Sequence, residues 1–169
     1  MYPTPIEGFS IRHAVPEDVP LILQFIRDLA EYERLAHEVV ATENDLEQHL
    51  FGEVPRAEVL IAEANERAVG FALFFHNFST FLGRPGIYLE DLFVKPEDRG
   101  RGYGKALLTC LASIARDRGC GRMEWCVLDW NQPAIDFYQS LGADLKKGWL
   151  LNRVTGDALH QMAHKFEEI

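Results

Sequence analysis

The chain has 169 residues, 47% of them hydrophobic and 25% charged, with a formal net charge of −9, which suits one globular domain with a full core. No apolar run approaches the ~20 residues of a membrane span, and Met1-Tyr-Pro-Thr-Pro-Ile6 lacks the basic and apolar regions of a secretory signal. Up to Glu63 there are 13 acidic residues against 4 basic ones, and beyond it 13 against 13, a balance that argues against nucleic acid and suits a cationic substrate on the acidic part and an anionic ligand on the rest.

Phe9 to Ala14 reads as a first strand. Pro16-Glu-Asp opens a helix whose apolar face is Val19, Ile22, Leu23, Ile26 and Leu29, running to about Leu35. Thr42-Glu-Asn-Asp45 resembles a capping box and starts a short helix to about Leu50. Val59–Glu63 and Val69–Phe78 read as strands around the turn Ala64-Asn-Glu-Arg67, the second apolar enough to be covered on both faces. A connection from Phe78 to Gly86 leads to the strand Ile87–Val94. After Pro96 and the glycines 100, 102 and 104 comes a helix with Ala106, Leu107, Cys110, Leu111, Ile114 and Ala115 on one face. Arg122–Leu128 is a further strand. Asn131 caps a helix that ends at Gly142. A brief strand near Ala143–Lys146, a strand at Trp149–Val154 and a helix from Asp157 to about Phe166 complete the chain. The order is β-α-α-β-β-β-α-β-α-β, an α/β arrangement with one mixed sheet and helices on both faces.

The glycine-rich segment carries the chemistry. A helix opening in such a loop offers free N–H groups and a positive dipole end, an anion site for a phosphate or pyrophosphate. A Walker A loop fails, because Gly104-Lys105 is followed by Ala106 and the position five before Gly104 is Arg99. The dinucleotide fingerprint G-x-G-x-x-G fails on the spacing Gly100, Gly102, Gly104. Arg99-Gly-Arg-Gly102-Tyr-Gly104 does match [RQ]-x-x-G-x-[GA], the pyrophosphate signature of the GNAT superfamily of N-acetyltransferases. Cys110, Cys120 and Cys126 make no metal or redox spacing; no metal is expected, and a reduced, cytoplasmic setting is.

The resemblance goes further. Leu29-Ala-Glu-Tyr-Glu33, Tyr88-Leu-Glu-Asp91, Arg99–Gly104 and Leu128-Asp-Trp-Asn-Gln-Pro-Ala134 with Phe137-Tyr138 resemble the diamine acetyltransferase group, which holds spermidine/spermine and thialysine acetyltransferases. The resemblance implies a single GNAT domain over residues 1–169 with a central mixed, twisted sheet. It implies acetyl-CoA as co-substrate, a small-molecule amine as acceptor and a homodimer, beside the absence of nucleic-acid and membrane partners expected from charge and hydropathy.

It also implies roles. Glu90 would be the general base, working through a water; an ion-paired or solvent-facing strand residue is the alternative. Asp91 should point to the opposite face in a regular strand, with a structural role; in an irregular strand it could orient substrate. Tyr138 would be the general acid for the departing thiolate, or its ring is core. The backbone N–H of Leu92 or Val94, on the segment Leu92-Phe93-Val94, would polarise the acetyl carbonyl. Arg99, Gly100, Arg101, Gly102, Tyr103, Gly104 and Lys105 would cradle the pyrophosphate, mainly through backbone, and Asn131 and Ala134 would contact the pantetheine arm. Tyr32, Glu33 and Glu90 would line the amine site; Glu33 could equally be an exposed acid at a helix end. Lys146-Lys147 stands where the polyamine enzymes carry acids, so an amino acid or smaller amine is favoured over spermidine. A protein or peptide acetyltransferase and a non-catalytic acyl-CoA-binding module remain alternatives.

Overall fold

A computed structural model describes residues 1–167. It forms two compact units, Met1–Cys126 and Val127 to the C-terminus. The first holds a six-stranded sheet in sequence order: β1 Tyr2–Pro3, β2 Phe9–His13, β3 Glu58–Ala64, β4 Arg67–Ser79, β5 Arg84–Val94 and β6 Met123–Trp125. All neighbours are antiparallel except β5 and β6, so the sheet is mixed. β4 and β5 are longer than the sequence suggests, because their outer residues pair in one hairpin, Phe78 with Pro85 and Ser79 with Arg84, leaving only residues 80–83 as the turn.

The alternation of β-strand side chains sorts the core into two layers. Val59, Ile61, Phe71 and Phe93 face α1 (Val19–Tyr32) and pack on Ile22, Phe25 and Leu50. Leu50 lies in the π-helical turn Glu47–Phe51 that follows α2 (Glu43–Leu46). Leu60, Ala62 and Ala72 are fully buried on the opposite face, the side of α3 (Tyr103–Asp117), whose Leu107 and Leu111 are also fully buried. Helices therefore cover both faces. Cys110 is half-buried on α3, and burial pushes its thiol up to about 11.

α1 stops three residues early. Leu35 N–H donates to the Ala30 carbonyl at 2.7 Å and Arg34 N–H to that of Glu31 at 3.0 Å, a Schellman closure with Arg34 at φ 64. A left-handed residue there is usually glycine; an arginine hides the stop from the sequence. α3 and α4 (Gln132–Ser140) close the same way on Gly119 and Gly142.

The second unit holds α4 and α5 (Gly156–Glu167). The strands expected at Ala143–Lys146 and Trp149–Val154 are not formed. No strand among the described residues pairs with either segment, and a strand needs a partner for its N–H and C=O groups. β6 is likewise shorter than expected, ending at Trp125.

Candidate active site

The centre of the first unit is an irregularity in β5. Leu73 opposes Asp91 and the next residue, Phe74, opposes Leu89, so Glu90 has no partner on β4. A bulge of one residue reverses the alternation of everything after it. Ile87 N–H donates toward β6, to the Arg122 carbonyl at 3.1 Å, whereas Lys95 N–H donates toward β4, to Val69 at 2.9 Å. Residues 87 and 95 would point the same way in a regular strand. Counting back from Lys95, Phe93 N–H faces β4, and the N–H groups of Leu92 and Val94 face the other edge. Among the described residues that edge has no strand on it, because the β5–β6 ladder ends at Leu89–Trp125. The bulge thus presents two backbone donors where an oxyanion could be bound.

The bulge also sorts the carboxylates. Glu90 is exposed. Asp91 shares the α1 face with Leu73 and Phe93, so it lies opposite Leu89 instead of sharing its face. Burial, then the charges of Glu90 and Glu33, push the Asp91 carboxyl up to about 7. Glu33 caps the C-terminus of α1; it is half-buried, and burial raises its carboxyl too. A regular strand would leave Asp91 on the face of Leu89, and only the register on β4 shows that it lies on the other. Tyr32 is partly exposed beside Glu33, with the Arg99 guanidinium 4.4 Å from its ring centre.

The glycine-rich loop follows β5. Gly100 and Gly102 adopt φ 77 and φ 85, backbone that a side chain would strain. Gly102 is the N-cap of α3 and has no side chain to cap with; the first helical bond is Ala106 N–H to the Gly102 carbonyl at 2.9 Å. The N–H groups of Tyr103, Gly104 and Lys105 therefore face out of the helix end uncapped, a donor set that fits a pyrophosphate. Gly104 is already helical and is not held by its φ. The Tyr103 ring is buried and stacks on Phe9 at 4.2 Å, so Tyr103 has only backbone to offer, as does buried Phe93. Asp98 is buried and accepts from Arg67 at 2.8 Å, with Arg101 at 3.9 Å; Lys105 is exposed.

In the second unit Asn131 caps α4, its Oδ1 accepting from Ala134 N–H at 3.4 Å. Tyr138 is half-buried on the same helix, its ring 5.3 Å from that of Phe137. Lys146 forms an ion pair with Asp144, and Lys147 is exposed.

The model of the Acetyltransferase (GNAT) family matches residues 23–143. The chain belongs to the GNAT acetyltransferase family. Thialysine N-epsilon-acetyltransferase of Bos taurus is 42% identical over 166 residues, covering 92% of this chain and 97% of that protein. The L-ornithine N5-acetyltransferase NATA1 of Arabidopsis thaliana is 37% identical over 93% of this chain and 89% of its own length. Among solved structures, an integron cassette protein from the mobile metagenome of V. cholerae superposes with a TM-score of 0.78 at 28% identity, over 92% of this chain and 98% of that one. The protein is an enzyme of the acyltransferase class, and the family uses acetyl-CoA as co-substrate.

Proposed function

We propose that the protein moves the acetyl group of acetyl-CoA directly to the primary amine of a small molecule, a thialysine- or lysine-like amino acid or a diamine. The observation that carries this is the β5 bulge, which puts the Leu92 and Val94 donors on an open strand edge beside the carboxylates of Glu90, Asp91 and Glu33. The activities in the names of the two relatives, thialysine and L-ornithine acetylation, support the same acceptor class.

An amine must lose a proton before it attacks a thioester. Glu90, exposed at the bulge, takes that proton through a water. Asp91, with its carboxyl held near 7, sits in the range where a carboxylate binds an ammonium and also accepts from it. Leu92 and Val94 N–H polarise the acetyl carbonyl. The backbone from Arg99 to Lys105 holds the pyrophosphate, Asn131 and Ala134 the pantetheine arm, and Tyr32 and Glu33 line the amine site. Tyr138 gives a proton to the departing thiolate.

The whole chain acts as one GNAT domain and as a cytoplasmic homodimer. The apolar surface of Trp149, Leu150, Leu151 and Val154, exposed in the second unit, supports a second copy as its cover.

Coenzyme A release across lysine, thialysine, ornithine, putrescine, spermidine, spermine, a lysine peptide and a no-amine blank tests the reading. Turnover of the amino acids above spermidine is expected. Turnover of the peptide alone would make this a protein acetyltransferase, and tight acetyl-CoA binding with no turnover a binding module. Glu90→Gln and Tyr138→Phe should each lower kcat by roughly 10²-fold or more; full activity in both would remove the catalytic assignments.

A further inference from the structure

Among the described residues Arg99 has a carbonyl and two aromatic rings around its charge but no carboxylate. Its Nε donates to the Val94 carbonyl at 3.0 Å, and its guanidinium lies 4.4 Å from the centre of the Tyr32 ring and 5.7 Å from that of Phe93. Phe93 faces α1, so this side chain extends over the face that carries Tyr32 and Asp91. α3 begins on the opposite face, where Gly104 approaches the Val94 side chain. The first residue of the pyrophosphate motif therefore has its backbone in the glycine-rich loop and its guanidinium on the α1 face, over the Tyr32 ring. No carboxylate among the described residues forms an ion pair with it, although Glu33, Glu90 and Asp91 are grouped beside the same strand end and helix end. Anchored at Nε and stacked on a ring, the guanidinium is held in one plane and keeps its terminal N–H groups for a ligand.

The amine site thus combines carboxylates without a cation and a guanidinium without an anion. A simple diamine uses only the first. A ligand with amines and a carboxylate uses both, and a fixed guanidinium fork fits a carboxylate bidentately. We propose that Arg99 recognises the α-carboxylate of an amino-acid acceptor whose distal amine is directed to Asp91 and Glu90. This rests on the amine-acetyltransferase reading above and names the residue that separates amino acids from diamines. The cofactor's pyrophosphate is the other anion such a guanidinium could take, and the test divides the two.

Pairs of acceptors that differ only in the carboxylate, L-ornithine against putrescine and L-lysine against cadaverine, are compared in the wild type, Arg99→Gln and Arg99→Lys. Acetyl-CoA affinity is measured by calorimetry without amine. The wild type is expected to favour the amino acid of each pair. Arg99→Gln should lower the ratio of kcat/KM values, amino acid over diamine, by about 10- to 100-fold, over and above any loss of acetyl-CoA affinity that both acceptors share, and Arg99→Lys should restore part of the ratio. An unmoved ratio overturns the proposal. Equal losses for both acceptors together with weakened acetyl-CoA binding also overturn it and assign the guanidinium to the pyrophosphate. Turnover of no amine by the wild type defeats the amine reading itself, and this proposal with it.

Discussion

The acidic residues of the first unit fall into two groups with opposite environments. On the flank of the sheet, Asp18 accepts from Arg12 at 2.6 and 2.9 Å and from Val15 N–H at 2.8 Å, and Glu58 accepts from Arg118, with Nη2 at 2.8 Å. Hydrogen bonds from these guanidinium groups hold both carboxyls below their usual range. At the β5 bulge and the end of α1, Asp91 and Glu33 are raised, and no cation among the described residues pairs with either. The first group joins elements: Arg12 on β2 ties Asp18 before α1 to Glu63 on β3, and Arg118 at the end of α3 ties that helix to Glu58 on β3. The second joins no elements among the described residues. A carboxylate left half-desolvated and unpaired costs stability, and its place beside open backbone donors fits the amine site proposed above.

Exchanging the charge in each group should move stability in opposite directions. Asp91→Asn has the largest expected effect: kcat/KM for the best amine falls by roughly 10²-fold while the protein becomes more stable at pH 8. The sign follows from linkage. A carboxyl raised from 3.8 to about 7 in the fold leaves stability intact below pH 4, lowers it as pH rises from 4 to 7, and lowers it no further above that. Removing the group should recover on the order of 2–4 kcal/mol at pH 8 and almost nothing at pH 4. Denaturant melts at the two pH values check this; destabilisation at pH 8 would mean that Asp91 is structural.

Asp18→Asn should do the reverse, losing about 1–3 kcal/mol at pH 7 with little change in KM. Its lowered carboxyl contributes stability above pH 4 that disappears as pH falls through the folded value, so wild type and variant should converge in acid. Gly102→Ala sharpens the contrast on the cofactor side. At φ 85 a methyl side chain costs about 1–2 kcal/mol, and acetyl-CoA affinity should fall while the Asp91-dependent pH profile keeps its shape. Glu33→Gln is the mildest: a rise in melting temperature at pH 8 smaller than that of Asp91→Asn, with a higher KM for the amine.

Much of this molecule is legible in one dimension. The capping box at Thr42, with Asp45 accepting from Thr42 N–H at 2.9 Å, and the Asn131 cap are local hydrogen bonds between residues three apart. The glycine-rich loop is legible for the same reason: left-handed backbone at Gly100 and Gly102 needs residues without a Cβ, and that need appears as letters. α1 was misjudged at its end because Arg34, not a glycine, takes the left-handed place. Trp149–Val154 was misjudged because strand propensity without a partner strand forms no ladder.

By itself the sequence determined the order of the first helices and strands and the position of the glycine-rich loop, because each rests on periodicity or on contacts within a few residues, and it carries the motifs by which the chain resembles its family. Only the tertiary structure decided which carboxylate is buried and which way the donors of β5 point. Those depend on the pairing of Leu73 with Asp91 and of Phe74 with Leu89. A one-residue bulge leaves no composition signature in its own strand, yet it turns every N–H and side chain beyond it to the other side.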